Sequence, residues 1–393
     1  MTPKVARERL DGRDRVITTL TRFGSMSRAE LSRRAGLAPS TVTGLVAALV
    51  DEGLVVEVDG ATVSTGSPKG GRPGILLALH RSTGVVVGID FGKRHVRVAV
   101  AALSHRLLTE RSHRLAPDRP AAEDISRAVL LVDDALEELG LNRSQVVGVG
   151  MGIPGPVRSA TGQIGDSTIL PGWVGVHAPE AMSQALGLSV QVDNDANLGA
   201  LSEWMWGAAR GCDDVAYLKI STGVGGGLIL GGVPFSGTGG TAGEIGHTVI
   251  DPGGPICRCG NRGCLEMIAG SDAILQALRP AHGEGLAISE VITLAQNGDA
   301  GCTRALADSG RAIGTALATL CNLVNPQRVV VGGDLAAAGD LLLDPLRASL
   351  KRGALRSAAE DVEVVRGAFG DRAELLGAVA LALRSSRPSQ TVD

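Results

Sequence analysis

Apolar residues follow two different rhythms along this 393-residue chain. From Arg15 onward, Val16, Ile17 and Leu20 recur at helical spacing until Gly24 closes the run. Ser27, with Glu30 three residues later, makes a capping box, and Ala29, Leu31 and Ala35 give this second short helix its apolar side. After the turn Gly36-Leu37-Ala38, Pro39 and Ser40 open a third helix. Its buried stripe is Val42, Leu45, Val46 and Leu49, which leaves Ser40, Thr41 and Thr43 facing out. Residues 54–58 and 75–79 read as strands, with Asp59-Gly60 as a turn signal. The outline predicts a winged helix-turn-helix over residues 1–81, although a plain three-helix bundle with a hairpin shares it.

From residue 82 the pattern changes to short aliphatic strands, glycine turns and long helices, the alternation of an α/β protein. Strands are predicted at 85–90, 96–103, 146–153 and 188–192, and a helix at 124–139. A second half opens near Val215, with strands at 215–221, 227–230 and 329–331 and a helix at 311–324. Two halves that each open with a strand and a glycine turn imply duplicated lobes around a cleft within residues 82–393.

Composition narrows the classes. Hydrophobic residues make up 44% but aromatics only 2%, so the core must be built from Leu, Val, Ala and Ile. The 55 glycines follow no G-X-Y period, which excludes collagen. No apolar run reaches the roughly 18 residues of a membrane span, and the charged first residues have no apolar segment behind them, so a soluble, cytoplasmic protein without a membrane partner is expected. Six cysteines are too few for a disulfide scaffold, in keeping with a reducing compartment. The net charge of −3 is unevenly spread: residues 1–80 hold 11 Lys and Arg against 8 Asp and Glu, and the remainder 27 against 33.

The basic end carries the features of a double-stranded DNA reader. Ser40, Thr41 and Thr43 are small enough to approach base edges in the major groove, and Arg33 and Arg34 can meet phosphates. Lys69-Gly70-Gly71-Arg72-Pro73-Gly74 sets Arg72 on a slim extended segment suited to a narrow minor groove.

In the acidic part, His247, Cys257, Cys259 and Cys264 have the spacing H-x9-C-x-C-x4-C. A Cys3His set is a tetrahedral structural zinc site with no position left for an activated water, here in the loop 247–264. A buried group of unliganded thiols is the alternative. Two glycine-rich turns, Ser221-Thr222-Gly223-Val224-Gly225-Gly226-Gly227 and Val331-Gly332-Gly333-Asp334, follow strands and offer backbone N–H groups to phosphate, but such turns serve equally as packing devices. Asp193-Asn194-Asp195-Ala196-Asn197, with Glu244 and Glu266, supplies the carboxylates and amides that sugar hydroxyls need, and an Asp here can also deprotonate one. A capped helix start at Asp195 explains the same residues.

The stretch Gly243-Glu244-Ile245-Gly246-His247, followed by Cys257-Arg258-Cys259-Gly260-Asn261-Arg262-Gly263-Cys264-Leu265-Glu266, resembles the signature of the ROK family of repressors, open reading frames and sugar kinases. Resemblance continues in Gly152-Ile153-Pro154-Gly155-Pro156, in 192–197, at Thr222 and at Gly332-Gly333. It implies an actin-like, ribonuclease-H-type, two-lobed sugar-kinase fold behind the winged helix-turn-helix. It also implies that Asn194, Asp195, Glu244, His247 and Glu266 line a sugar site, with His247 turning one ring nitrogen to zinc and the other to the sugar. Asp195 matches the kinases' catalytic base, and family members form dimers or tetramers.

Two departures decide between the family's branches. Where its kinases have Asp-x-Gly-Gly-Thr, this chain has Asp90-Phe91-Gly92-Lys93-Arg94-His95, so two bulky cations stand where backbone would touch a nucleotide. Ile169 stands where the sugar kinases commonly have a hydroxyl-binding Asn. The sequence therefore predicts a homo-oligomeric repressor that binds an operator and a sugar or sugar derivative, with structural zinc and without ATP, Mg²⁺ or catalysis. An ATP-dependent sugar kinase carrying a DNA-binding module is the alternative.

Overall fold

The computed structural model describes residues 12–59, 75–79, 84–158, 161–165 and 170–386. Arg72 and Ile169 lie outside these residues.

Three helices lead the chain: α1 (Gly12–Phe23), α2 (Arg28–Ala35) and α3 (Pro39–Asp51). The Ser27 hydroxyl accepts from the Glu30 N–H and so starts α2, and Gly36, at φ +61°, ends it. Arg15 of α1 donates to the carbonyls of Ala35 and Gly36, which ties the turn between α2 and α3 to the first helix. Strands β1 (Val55–Asp59) and β2 (Ile75–Leu79) pair antiparallel, and Met26 exchanges backbone hydrogen bonds with Leu77. The predicted outline is present, with β1 one residue later than expected.

Two five-stranded sheets follow. The first holds β3 (Val85–Gly92), β4 (His95–Ala102), β5 (Leu107–Arg114), β6 (Val146–Ile153) and β7 (Val190–Asn194) in the order β5-β4-β3-β6-β7. The second holds β8 (Val215–Ile220), β9 (Val224–Leu230), β10 (Val233–Phe235), β11 (Arg328–Gly332) and β12 (Glu363–Arg366) in the order β10-β9-β8-β11-β12. In each, a hairpin meander runs antiparallel on one side and two parallel strands complete the other. The duplicated lobes read from the sequence are therefore real.

The helices of this part are α4 (Ala121–Glu138), α5 (Ala178–Leu186), α6 (Asp195–Met205), α7 (Glu266–Ala269), α8 (Ser271–His282), α9 (Ile288–Gln296), α10 (Ala300–Val324), α11 (Asp340–Gly353), α12 (Arg356–Glu360) and α13 (Ala373–Ser385). Most of α6 and α13 is buried, as expected of helices that carry small and apolar residues on nearly every face. Helix α10 starts well before the expected 311, because the Asp299 carboxylate caps it by accepting from the Cys302 N–H.

One expectation needs correction. The glycines at 225–227 belong to strand β9, and only 221–223 form the turn. A Cβ on Gly226 would stand 2.6 Å from the Gly243 carbonyl oxygen, and one on Gly227 would stand 2.5 Å from that of Ala196. These two glycines let backbones pack.

The first helices are not a separate bead. Val16, Leu20, Leu31 and Val46 share one buried cluster with Val86, Ala99 and Leu103 of the first sheet region and with Leu375, Val379 and Leu383 of α13. No helix among the described residues is long and apolar enough to cross a membrane.

Candidate effector cleft and DNA-reading surface

Between the two sheets lies a cleft of about 760 Å³ lined by Asp90, Lys93, Arg94, Asn194, Asp195, Lys219, Glu244, His247, Glu266 and Glu374, among others. Every predicted sugar-site residue is in its wall. Asn194 is fixed from both ends: its side-chain oxygen caps α6 by accepting from Ala196 and Asn197, and its amide donates to the Gly155 carbonyl at 2.9 Å. Asp193 accepts from the Asn197 side chain and the Asn194 N–H, and burial, only partly offset by those bonds, raises its pKa. The capped helix start and the cleft carboxylate are thus the same feature.

Asp195 is not a free carboxylate. One oxygen accepts from its neighbour's backbone and the other from the Lys219 ammonium at 2.8 Å. The Lys219 ammonium also reaches Glu374 at 3.5 Å. Burial pushes the Glu374 carboxyl up to about 7, and the repulsion of Asp90 and Asp195 adds to this against the pull of Lys219. Neither Lys219 nor Glu374 was singled out in the sequence. A signal was present, because Lys219 interrupts Val215, Ala216, Tyr217, Leu218 and Ile220, all buried, and a charge there demands a partner.

The segment from His247 to Cys264 brings four donors together. The ligand atoms of His247, Cys257, Cys259 and Cys264 all lie within 4.8 Å of one another. His247 Nδ1 is 3.6 Å from Cys257 Sγ, and Cys259 Sγ is 3.6 Å from Cys264 Sγ, edges that suit a tetrahedral ion with sulfur and nitrogen ligands. The donor set therefore fits a metal. The other ring nitrogen, Nε2, points toward Glu244 at 4.0 Å, and Glu266 is held by Arg258 at 2.8 Å. Burial raises the Glu244 carboxyl; His247 opposes the shift, while Asp195 and Glu266 add to it. Of the remaining cysteines, Cys321 is a plain core residue and Cys212 is half-buried, whereas buried Cys302 faces His282 and Asp299.

The β3–β4 hairpin is braced from beneath. Arg119 donates to the carbonyls of Gly92 and Lys93 and pairs with fully buried Asp124, which also accepts from Trp173 Nε1 at 2.7 Å. The tip's carbonyls are occupied, and Lys93 and Arg94 stand exposed at the cleft wall.

Of the residues expected to meet DNA, Ser40, Thr41 and Thr43 are exposed along α3, although the Thr43 hydroxyl donates to the Pro39 carbonyl. Arg33 is exposed. Arg34 is already engaged by Glu30 at 3.0 Å and stacks 4.5 Å from the Phe23 ring.

Comparison with known proteins agrees with both regions. The sequence profile of the ROK family matches residues 86–385, and that of the IclR helix-turn-helix domain matches residues 15–59. The xylose repressor of Bacillus subtilis is 28% identical over 358 residues, covering 90% of this chain and 89% of that protein. The DNA-binding transcriptional dual regulator NagC of Escherichia coli is 28% identical over 382 residues, covering 94% and 91%. Among solved structures, a ROK family transcriptional regulator homologous to the E. coli MLC protein superposes with a TM-score of 0.74 at 26% identity, over 95% of this chain and 96% of that one. A ROK family glucokinase from Streptomyces griseus, solved with glucose and AMPPNP, superposes with a TM-score of 0.68 at 29% identity, over 76% of this chain and 99% of that one.

Proposed function

Because the chain belongs to the ROK family, we propose that it is a transcriptional repressor whose two-lobed part, residues 82–393, senses a sugar or sugar derivative without phosphorylating it. Residues 1–81 read double-stranded operator DNA. The observation that carries this reading is the Lys219–Asp195 ion pair at 2.8 Å, which engages an oxygen of the carboxylate that a kinase would keep free as its base. Lys93 and Arg94 at the opposite wall add bulk where a nucleotide's phosphates would approach backbone.

Asn194, Asp195, Glu244, His247 and Glu266 bind the sugar hydroxyls. His247, Cys257, Cys259 and Cys264 hold a structural zinc ion that fixes His247 and Glu266 at the cleft. Ser40, Thr41 and Thr43 meet base edges, Arg33 and Arg34 the phosphates, and Arg72 the minor groove. Arg33 carries more of the phosphate contact than Arg34, whose guanidinium is engaged by Glu30. The protein works in the cytoplasm as a homodimer or homotetramer, so effector binding shifts the spacing of paired helix-turn-helix modules.

Helix α6 is the route between the two ends. It starts at Asp195 in the cleft, capped by Asn194, and its last turn carries Trp204, whose ring meets Phe23 of α1 edge-on at 6.4 Å. Just beyond it, Trp206 Nε1 donates to His105 Nδ1 at 3.0 Å, and Gly24 packs on the same histidine.

A panel of D-xylose, D-glucose and N-acetyl-D-glucosamine separates sensing from catalysis. The repressor reading expects at least one sugar to raise the melting temperature with no ADP released from ATP. The kinase reading, which the retained Asp195 and the glycine turns favour, expects ADP release that disappears in Asp195→Asn. That second outcome overturns the proposal.

A further inference from the structure

Crowded carboxylates alone show nothing about a ligand; here an ammonium group is already seated among them. We infer that Lys219 is a tethered counter-cation: with Asp195 and Glu374 it permanently fills a position on the cleft floor that would otherwise hold a divalent metal ion. This rests on the non-catalytic reading above, and it explains how the cleft does without a metal nucleotide.

The position is built rather than accidental. Lys219 lies on central strand β8, with Gly225 opposite it on β9 and Gly332 opposite it on β11, so no side chain at either register position competes for its space. Asp195 opens α6 and Glu374 lies in the first turn of α13, so the buried ends of two helices turn their carboxylates to one point. The groups facing it are few. Asp195 contacts the ammonium at 2.8 Å and Glu374 at 3.5 Å, while Tyr217 donates to Glu374 at 3.4 Å. Asp90 adds a third negative charge to the field on the ammonium, with its own carboxylate 3.0 Å from His95 Nε2. Burial alone would lower the lysine's pKa, but Asp195 first, then Glu374 and Asp90, hold it above the ordinary value, so the group stays charged. Oxygen donors of this kind, from separate elements and free of soft ligands, suit a hard divalent ion.

The test removes the tether and offers an ion. Full-length wild type and Lys219→Met are titrated with Mn²⁺, with bound ion counted by electron paramagnetic resonance and stability followed by thermal melting. Wild type is expected to take up no Mn²⁺ in the cleft. Lys219→Met is expected to bind one Mn²⁺ per chain and to recover stability as it does so, and Lys219→Met with Glu374→Gln is expected to bind at least tenfold more weakly. Should Lys219→Met prove poorly folded, recovery of soluble protein by Mn²⁺ supports the inference, and equal loss with and without the ion overturns it. So does Mn²⁺ uptake no greater than wild type, or uptake by wild type itself. The ion count is independent of sugar turnover: ADP release by wild type would sink the repressor reading and leave the Mn²⁺ result standing.

Discussion

The two sheets share one strand order, yet their first hairpins carry opposite loads. The β8–β9 turn, Ser221-Thr222-Gly223, is small and glycine-rich, and Gly333 packs against Ile220 beside it. The β3–β4 turn presents Lys93 and Arg94 and has its carbonyls tied down by the buried Arg119–Asp124–Trp173 network. Equal topology therefore does not mean equal chemistry. The backbone plan places the two hairpins alike at the cleft, and the side chains at their turns set the chemistry each presents. Between the hairpins, Lys219 holds together a floor of carboxylates that would otherwise repel one another.

This contrast can be broken most forcefully at the brace. Asp124→Ala leaves the Arg119 guanidinium buried without its partner, and a loss of about 3–5 kcal/mol in denaturant unfolding is expected. A loss below 1 kcal/mol would mean that the first hairpin stands without its support.

The floor gives the next largest effect. The Glu374 carboxyl is held near 7 in the folded chain against an ordinary value of 4.5, so the folded state binds the proton more tightly. Its contribution is present below about 4.5 and is lost as pH rises to about 7, a fall approaching 3 kcal/mol if no neighbour compensates. Thermal melts of wild type and Glu374→Gln from pH 5 to 8 check this: the variant should show a flatter profile, and parallel profiles would refute the assignment.

At the second hairpin, Gly333 has φ +78°, and a Cβ there would lie 2.5 Å from the Ile220 carbonyl oxygen. Gly333→Ala is expected to cost about 1–3 kcal/mol in unfolding free energy. The mirror experiment at the first hairpin has the smallest effect. Lys93 is exposed, so Lys93→Gly should change stability by less than about 0.5 kcal/mol. A larger loss would show that this lysine is part of the fold rather than of the cleft's chemistry.

How much of this was legible in advance follows from what sequence periodicity records. The helix-turn-helix was readable because its caps and stripe are local: Ser27, Gly36, Val42 and Val46 each act within a few residues. The duplicated lobes were readable as strands and glycine turns, and the metal-type loop as a spacing of donors. Long-range pairs were not. Lys219 meets Asp195 and Glu374, which are 24 and 155 positions away, and Arg119 reaches back 26 residues to the Lys93 carbonyl. Which of the two roles left open for the glycines at 225–227 applies was not legible for the same reason, since the backbones they admit belong to α6 and to Gly243. The junction of α6 with α1 through Trp204 and Phe23 left no periodic trace at all.

The central claim is that one chain couples a carbohydrate cleft to a DNA-reading surface. It is tested most directly by titrating full-length protein at physiological salt against labelled DNA from upstream of its own gene, with and without each sugar of the panel. The account predicts sequence-selective binding that at least one sugar changes tenfold or more, with Arg72→Ala weakening the DNA and not the sugar. Binding that is equally tight to unrelated DNA, and indifferent to every sugar that stabilises the fold, would contradict it.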